Sequence, residues 1–429
     1  MKASRTRHLF RALRSRNYRL FVAGQGVSLL GTWMQQVAMS WLVYRLTGSA
    51  LLLGVVGFTS QIPTFLISPV AGVLADRWDR RRLLLATQTL AMVQAAFLAI
   101  VVLAGVVQVW QIVVLSLLLG VVNAADIPIR QSFVVDLVAE SEDLSNAIAL
   151  NSSTVNLARL VGPAIAGILV ATVGEGICFA LNSLSYLAVI AALMAMRVAP
   201  RQRPPSRRHL LHELREGFQY AFGFGPIRSI LLLIAQTSLM GMPYAVLVPI
   251  FAKEILHGDA HTFGFLMSAA GCGALAGTFY LASRPSVLGL GRVIVRSEII
   301  FAGGLMLFAL SGHLLLSLAA LTMVGFGGIT FVASCNTILQ TILDEDKRGR
   351  VMSLFTMSFI GMVPIGSLGA GTVAGLIGPR QTLLVGAAAC LLGTAFFVRQ
   401  LPAIREKVRP IYRRKGILSD PAAADRLHR

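Results

Sequence analysis

The chain has 429 residues, of which 55% are hydrophobic and 13% are charged, and its formal net charge is +19. A mean hydropathy of +0.73 excludes an ordinary soluble domain and predicts several membrane-spanning helices. In a soluble protein this positive charge would suggest nucleic-acid binding, but here it is concentrated in short runs, so no nucleic-acid partner is expected.

Enzyme chemistry is not indicated either. The four cysteines lie in apolar runs without paired spacing, so neither a disulfide framework nor a metal site is expected. The seven histidines are scattered, and the sequence has no Gly-Lys-Ser/Thr nucleotide loop. We therefore predict neither an enzyme nor a bound cofactor.

The basic run at residues 77–82 contains four arginines and fixes the topology. Residues 46–75 before it and residues 83–125 after it contain no charge. A helix needs about 20 apolar residues to cross a bilayer core of about 30 Å. Two spanning helices must therefore meet at this turn, and the positive-inside rule places the turn in the cytoplasm.

Taken in order, the apolar runs predict twelve spans. The run 83–125 would reach about 65 Å as one helix, so it must fold back near residues 105–111. The six predicted spans of the first half are 20–44, 50–75, two within 83–125, 146–173 and 177–196. The six of the second half are 229–252, 260–283, one span before and one after residue 313, 351–379 and 381–398. This topology puts 33 of the 38 Lys and Arg residues on one side, with both termini cytoplasmic.

The chain is thereby expected to divide into five segments. Residues 1–19 form a basic head, predicted to lie on the anionic inner leaflet as an amphipathic helix; a disordered tail is the alternative. Residues 20–196 and 229–398 form two six-helix halves. Residues 197–228 form a cytoplasmic linker with an amphipathic helix, and residues 399–429 form a basic tail.

Recurring glycines indicate that the two halves are repeats. Gly31, Gly48 and Gly54 recur 210 positions later as Gly241, Gly258 and Gly264, and Gly162, Gly167 and Gly174 recur 204 positions later as Gly366, Gly371 and Gly378. Halves related by an axis along the membrane normal are a known transporter plan, with the substrate site at their interface.

Two motifs carry a resemblance to the major facilitator superfamily. Residues 72–81 resemble its cytoplasmic loop motif, on Gly72, Asp76, Arg77 and Arg80, although Asp79 stands where many members have Gly. Residues 158–167 resemble the span-five antiporter motif, on Gly162, Pro163 and Gly167. Residues 126–133 and 146–152 are similar to the branch that holds the enterobactin exporter and macrolide-efflux transporters.

The resemblance implies an all-α transporter with twelve spans in two pseudo-symmetric halves, in a bacterial inner membrane and acting as a monomer. It also implies that the loop holding Asp76 is a latch that stabilises one conformation, and Asp136 is a plausible partner for Arg80. The arginines alone are explained by topology. The small residues of the span-five motif permit close helix approach and a bend, which predicts a gating helix, although ordinary packing explains them as well.

Charges within the spans are the candidate coupling site. A charge at the bilayer centre costs about 3 kcal/mol or more, so such residues usually line a cavity and form pairs. Asp126 and Arg130 are four residues apart on one helix face, and Arg159 lies in the next span. We predict that Asp126 carries or gates a proton while Arg159 or Arg130 holds it; a static ion pair is the alternative.

Other polar residues are weaker candidates. Glu298 in span nine is a rival acid, for which an interfacial ion pair with Arg292 or Arg296 is the favoured interpretation. Side chains that could line a cavity are Gln25, Trp33, Gln36, Gln61, Asn336 and Gln340.

The sequence as a whole predicts proton-driven efflux of a small amphiphilic molecule, such as a drug, a macrolide or a siderophore-like compound. Two alternatives stay open: a proton-coupled uptake symporter on the same fold, and a membrane receptor that does not transport.

Overall fold

The protein is an all-helical bundle, seen here in a computed structural model. The structure describes residues 11–138, 141–196, 218–284 and 286–418, without the side chains at 69–77, 141–143, 145 and 345–346. These residues contain no strand. Eleven of the helices are long and apolar enough to cross a membrane. The remaining helix of the bundle has 32 residues and is less apolar.

We number the twelve spanning helices α1 to α12. They are α1 Arg16–Thr47, α2 Ala50–Arg77, α3 Arg80–Leu103, α4 Val109–Asp136, α5 Ser141–Val173, α6 Glu175–Ala195, α7 (Gly225–Met240, Tyr244–Ile250 and a π-helical turn Phe251–Ile255), α8 Ala260–Ala282, α9 Leu290–Leu310, α10 Leu314–Ile342, α11 (Glu345–Ile360 and Met362–Ile377) and α12 Pro379–Arg414. The predicted reversals near residues 105–111 and 313 are confirmed.

The helices form two halves with equivalent packing. In the first half α2 packs on α4, α3 on α6 and α1 on α6; in the second half α8 packs on α10, α9 on α12 and α7 on α12. Two helix pairs join the halves extensively, namely α5 with α8 and α2 with α11. The repeat predicted from the glycines is therefore present in the fold.

Four of the recurring glycines, Gly54, Gly167, Gly264 and Gly371, lie where the halves meet. A Cβ atom on Gly264 of α8 would lie 2.7 Å from the Cα atom of Gly167 on α5. A Cβ atom on Gly371 of α11 would lie 2.8 Å from the Cα atom of Gly54 on α2. Only glycine permits backbones this close, so each of these two seams depends on a pair of glycines.

The two ends of the bundle differ in charge. We call the end that carries the turn between α2 and α3 the basic end. At the opposite end the halves touch through ring stacking of Trp41 on Phe263, with centroids 6.2 Å apart, and through the Tyr44 hydroxyl, which donates to Glu254 Oε1 at 3.4 Å. At the basic end the first part of α11 packs on α7 and α10 of its own half.

Several boundaries differ from the sequence prediction. Residues 16–19 begin α1 rather than ending a surface helix, and Ala12 just before them donates its amide to Asn146 Oδ1 on α5 at 3.0 Å. Helix α7 breaks at Gly241, and α12 continues to Arg414, well past the predicted end of its span. Residues 1–10 and most of the predicted linker helix lie outside the described residues.

Candidate functional site

Asp126 is buried between α3 and α4. The residue is 4% exposed. Two neighbouring residues of α3 form hydrogen bonds to one of its carboxylate oxygens. The Thr87 hydroxyl lies 2.8 Å from Asp126 Oδ1, and Gln88 Nε2 donates to the same oxygen at 2.7 Å. The charge of the carboxylate is thus compensated by hydrogen bonds inside the first half.

The Thr87 hydroxyl can serve Asp126 in either protonation state. It lies 3.1 Å from the Leu84 carbonyl oxygen as well as 2.8 Å from Asp126. A hydroxyl has one proton to donate and lone pairs to accept. It can therefore donate to an ionised Asp126, or donate to Leu84 while accepting from a protonated Asp126.

Arg130 holds the other oxygen of Asp126 only loosely. Arg130 Nε lies 3.5 Å from Asp126 Oδ2, longer than the 2.7–2.9 Å typical of a charge-assisted hydrogen bond. The predicted i, i+4 pair is therefore present but weak. At this distance between Arg130 Nε and Asp126 Oδ2, the attraction is weak and would be lost when Asp126 is neutral.

Arg159 does not approach Asp126, contrary to one of the two pairings predicted from the sequence. Its guanidinium carbon lies 5.1 Å from the centroid of the Trp33 ring on α1, and Tyr244 of α7 is close enough to interact with it electrostatically. Its Nε atom is fully buried and has no hydrogen-bond partner among the described residues. Arg159 therefore belongs to the junction of the two halves, whereas Asp126 lies within one half.

Glu298 is the buried acid of the second half. It is fully buried, and its Oε1 accepts a hydrogen bond of 2.7 Å from the Thr237 hydroxyl on α7. Its Oε2 has no partner among the described residues. The ion pair favoured from the sequence, with Arg292 or Arg296, is absent from the described residues because Glu298 points into the half, away from the interface with water.

The turn at the basic end contains the predicted pair of Arg80 and Asp136. Arg80 Nη1 lies 2.6 Å from Asp136 Oδ2, and both side chains are about nine-tenths buried. Asp79 caps α3 by accepting from the Arg81 and Arg82 amides. Arg81 in turn donates to the last carbonyls of α6, at Leu193 and Met194. The turn thus ties together the ends of α3, α4 and α6.

The remaining residues of the loop motif cannot be placed in the same way. The side chains of Asp76 and Arg77, and the surroundings of Gly72, lie outside what the structure describes. Their predicted contribution to a latch stays a prediction.

The span-five motif packs against two helices. A Cβ atom on Gly162 would lie 2.6 Å from Trp33 Cβ, so this glycine makes room for the tryptophan under Arg159. Pro163 and Gly167 face Gly264 of α8 across the halves. The close approach expected of this motif is present, and its role in gating stays a prediction.

The predicted cavity-lining residues differ in exposure. Gln25 is 3% exposed and lies inside the first half, so it lines no open cavity in this conformation. Trp33 and Gln61 are half-buried, and Gln36 is exposed. On α10, Gln340 Nε2 donates to Asn336 Oδ1 at 2.9 Å.

Sequence reasoning missed Thr87, Gln88 and Tyr244. A signal for the first two was available, because residues 87 and 126 are nearly equidistant from the predicted reversal near 105–111. In an antiparallel helix hairpin such residues lie at the same depth, and a polar pair at membrane depth is expected to bond. Tyr244 carried no such signal, because its position depends on the break in α7.

Comparison with known proteins gives consistent matches over most of the chain. Residues 8–417 match the family model described as transmembrane secretion effector. The Staphyloferrin A transporter of Staphylococcus aureus is 26% identical over 85% of this chain and 91% of its own length. The multidrug efflux pump Tap of Mycobacterium tuberculosis is 26% identical over 90% of this chain and 91% of its own.

A solved structure shares the fold. A bacterial homologue of the human lysosomal transporter Spinster, crystallised in an inward-facing and unoccupied conformation, superposes with a TM-score of 0.70 at 15% identity. The match covers 89% of this chain and 97% of that one.

Proposed function

Because this chain belongs to the transmembrane secretion effector family of the major facilitator superfamily, we propose that it exports small amphiphilic molecules in exchange for protons. It is a multi-pass membrane protein and a secondary transporter of small molecules. The relative named a multidrug efflux pump supports the export direction. We place the basic end and both termini in the cytoplasm of a bacterial inner membrane, on the positive-inside rule, and the chain acts as a monomer.

Asp126 is the proton carrier in this proposal. The observation that carries the assignment is the Thr87 hydroxyl, which lies within hydrogen-bond distance of both Asp126 and the Leu84 carbonyl. The hydroxyl has a proton that it can donate to the carboxylate and lone pairs that can accept from the carboxylic acid. A carrier must be stable in both forms, because it binds the proton in one conformation and releases it in the other.

Protonation of Asp126 then biases the rocking of the halves. A neutral Asp126 no longer attracts Arg130 of the same helix, whose Nε is 3.5 Å away. Its hydrogen bonds to Thr87 and Gln88 of α3 are then no longer charge-assisted, so the attachment of α4 to α3 weakens. The Arg80–Asp136 pair at the end of these two helices breaks and re-forms in the same cycle. Contacts at the end opposite the basic end, and α11 packed within its own half, support an inward-facing state as the starting point.

The test is accumulation of dyes, macrolides and siderophore-like compounds in an efflux-deficient bacterium. Cells express the wild type, Asp126→Asn or an empty vector, with and without an uncoupler. We expect the wild type to lower accumulation of at least one compound, and we expect both the uncoupler and Asp126→Asn to abolish that effect. In Asp126→Asn, downhill exchange should persist, because the binding site is intact.

Two outcomes count against the proposal. Higher accumulation with the wild type would reverse the direction and support the uptake symporter. Export that survives the uncoupler, or uphill export by Asp126→Asn, would remove proton coupling through this residue.

A further inference from the structure

The guanidinium of Arg159 occupies an unusual place at the junction of the two halves. It lies on the face of Trp33 from α1. A Cβ atom on Gly271 of α8 would lie 3.0 Å from the Arg159 carbonyl oxygen, which places Arg159 at the junction, and Tyr244 from α7 of the second half interacts with it electrostatically. No carboxylate lies within ion-pair distance of it among the described residues, and its fully buried Nε has no partner there.

The groups around Arg159 are hydrogen-bond donors. Within the described residues neither the Trp33 indole N–H nor the Tyr244 hydroxyl donates a hydrogen bond. Together with the guanidinium they form a cluster, here called the Arg159 cluster (Trp33, Arg159 and Tyr244), in which the Tyr244 hydroxyl oxygen is the one side-chain acceptor and the other polar groups are donors. A bound anion would accept hydrogen bonds from these donors.

Packing alone does not explain this arrangement. Cation–π contact with Trp33 stabilises the charge, but it satisfies none of the N–H donors of the guanidinium, and buried donors are normally satisfied. Charged residues at membrane depth are almost always paired. Asp126 pairs within its own half, and Arg159 has no ion pair among the described residues, so a bound molecule can supply the partner of this charge.

We propose that the Arg159 cluster binds a carboxylate group of the transported molecule, which makes the cargo an amphiphilic carboxylate. This inference rests on the proposed function as a small-molecule transporter, but not on proton coupling. A carboxylate fits the planar guanidinium because two parallel N–H···O bonds can form. The aromatic rings of Trp33 and Tyr244 supply surface for the apolar part of the same molecule.

The cluster draws on both halves. Arg159 and Trp33 belong to the first half, and Tyr244 follows the break in α7 of the second half, where its ring packs against Phe301 with centroids 6.4 Å apart. A carboxylate bound here contacts both halves at once. Binding of the carboxylate therefore changes the free energy of association between the two halves.

Purified full-length protein in detergent can test this with three fluorescent probes of the same size. They are pyrenebutyrate, its uncharged methyl ester and the cationic pyrenebutylamine, and binding is followed by energy transfer from tryptophan to pyrene. We expect the wild type to bind the acid at least about tenfold more tightly than the ester, as for other charge-assisted pairs, and the amine most weakly.

Variants separate a binding role from a packing role. Arg159→Gln should abolish the preference for the acid, and Arg159→Lys should keep part of it because the charge remains. Tyr244→Phe removes only a hydroxyl and should lower affinity for the acid about three- to tenfold, with ester affinity and thermal unfolding unchanged. The exposed Arg399→Gln is the matched charge control and should behave as wild type.

The proposal is overturned if the wild type binds the acid and the ester equally, or binds neither. It is also overturned if Arg159→Gln folds and keeps the wild-type preference for the acid. The assay contains no proton gradient, so its failure leaves proton-driven export standing. Conversely, export that resists an uncoupler, with the acid preference intact, removes only the proposed coupling.

Discussion

Asp126 in the first half and Glu298 in the second half are buried carboxylates within their spans, and their surroundings differ. Asp126 in the first half has Thr87, Gln88 and Arg130 as neighbours, at 2.8, 2.7 and 3.5 Å. Glu298 in the second half has a hydrogen bond from Thr237, and its second oxygen has no partner in the described part of the chain.

The two sites differ in the groups that approach the carboxylate: Thr87, Gln88 and Arg130 lie at Asp126, whereas the Thr237 hydroxyl donates to Glu298. Hydrogen-bond donors aimed at Asp126 stabilise its charge, and the Thr87 hydroxyl can also accept from its acid form. Glu298 is sealed inside its half, away from the junction. The proposed coupling residue is therefore Asp126 in the first half, and we predict a packing role for Glu298 in the second half.

The largest expected effect compares the two acids directly. Asp126→Asn should reduce uphill transport to background, because no proton is carried, whereas Glu298→Gln should retain most of it and should unfold at the same or a higher temperature. Transport into inverted vesicles, with and without a proton gradient, measures the first effect. Asp126→Glu is the control that restores a carboxylate. Loss of transport in Glu298→Gln with normal folding would reverse the assignment.

Substitutions at the two glycine seams should have similar effects on transport and stability, whereas substitutions of the two buried acids should not. Gly167→Leu and Gly371→Leu should each lower transport severalfold and cost about 1–3 kcal/mol in stability, because their Cβ atoms would meet the backbone at 2.8 and 2.6 Å. Gly369→Leu on α11, with nothing within 4 Å of its Cβ, is the control. Transport activity and thermal unfolding are the readouts. Normal transport and stability in only one of the two leucine variants would show that the seams are not equivalent.

A smaller effect is expected at the basic end. Arg80→Gln should cost about 2 kcal/mol, because it leaves the buried Asp136 without its partner. Arg82→Gln removes an exposed pair with Asp79, 3.6 Å long, and should cost less than about 1 kcal/mol. Thermal unfolding of both variants measures the difference. Adding Asp136→Asn to Arg80→Gln should recover stability; a further loss would mean that the two residues are not coupled.

The smallest effect concerns the cap of α8. Asp259 accepts from the His261 and Thr262 amides, and Asp259→Ala should cost about 1 kcal/mol. Burial alone would raise the pKa of Asp259, but hydrogen bonds from His261 and Thr262 outweigh it and lower the pKa overall. The contribution is therefore complete above the ordinary Asp pKa and is lost as pH falls through the folded value. Thermal unfolding measured across acidic pH, wild type against Asp259→Ala, checks both the size and the sign.

The features that sequence predicted well are those that depend on depth along a helix. Span limits follow from the length of apolar runs. Arg80 and Asp136 lie at the ends of adjacent helices, so their depth alone brings them together. Glycines at fixed offsets indicated the repeat, and four of them form the seams, where close approach at a given depth needs a small residue on both sides.

The features that it missed depend on rotation about the helix axis. Asp126 and Arg159 are both placed within spans, which suggested a pair. In the fold Asp126 faces α3 and Arg159 faces α1 and α7. Rotation is set by the packing of all neighbouring helices together, and no local pattern in a single span reports it.

The glycine seams also carry a consequence for the ancestry of the fold. Each seam joins the fifth helix of one half to the second helix of the other: α5 with α8, and α11 with α2. Two identical copies of a six-helix chain would form both seams at once, as a closed twofold dimer in which the same patch is used twice. A gene duplication would then have inherited its interface ready-made, and the two halves expressed as separate polypeptides should still find each other.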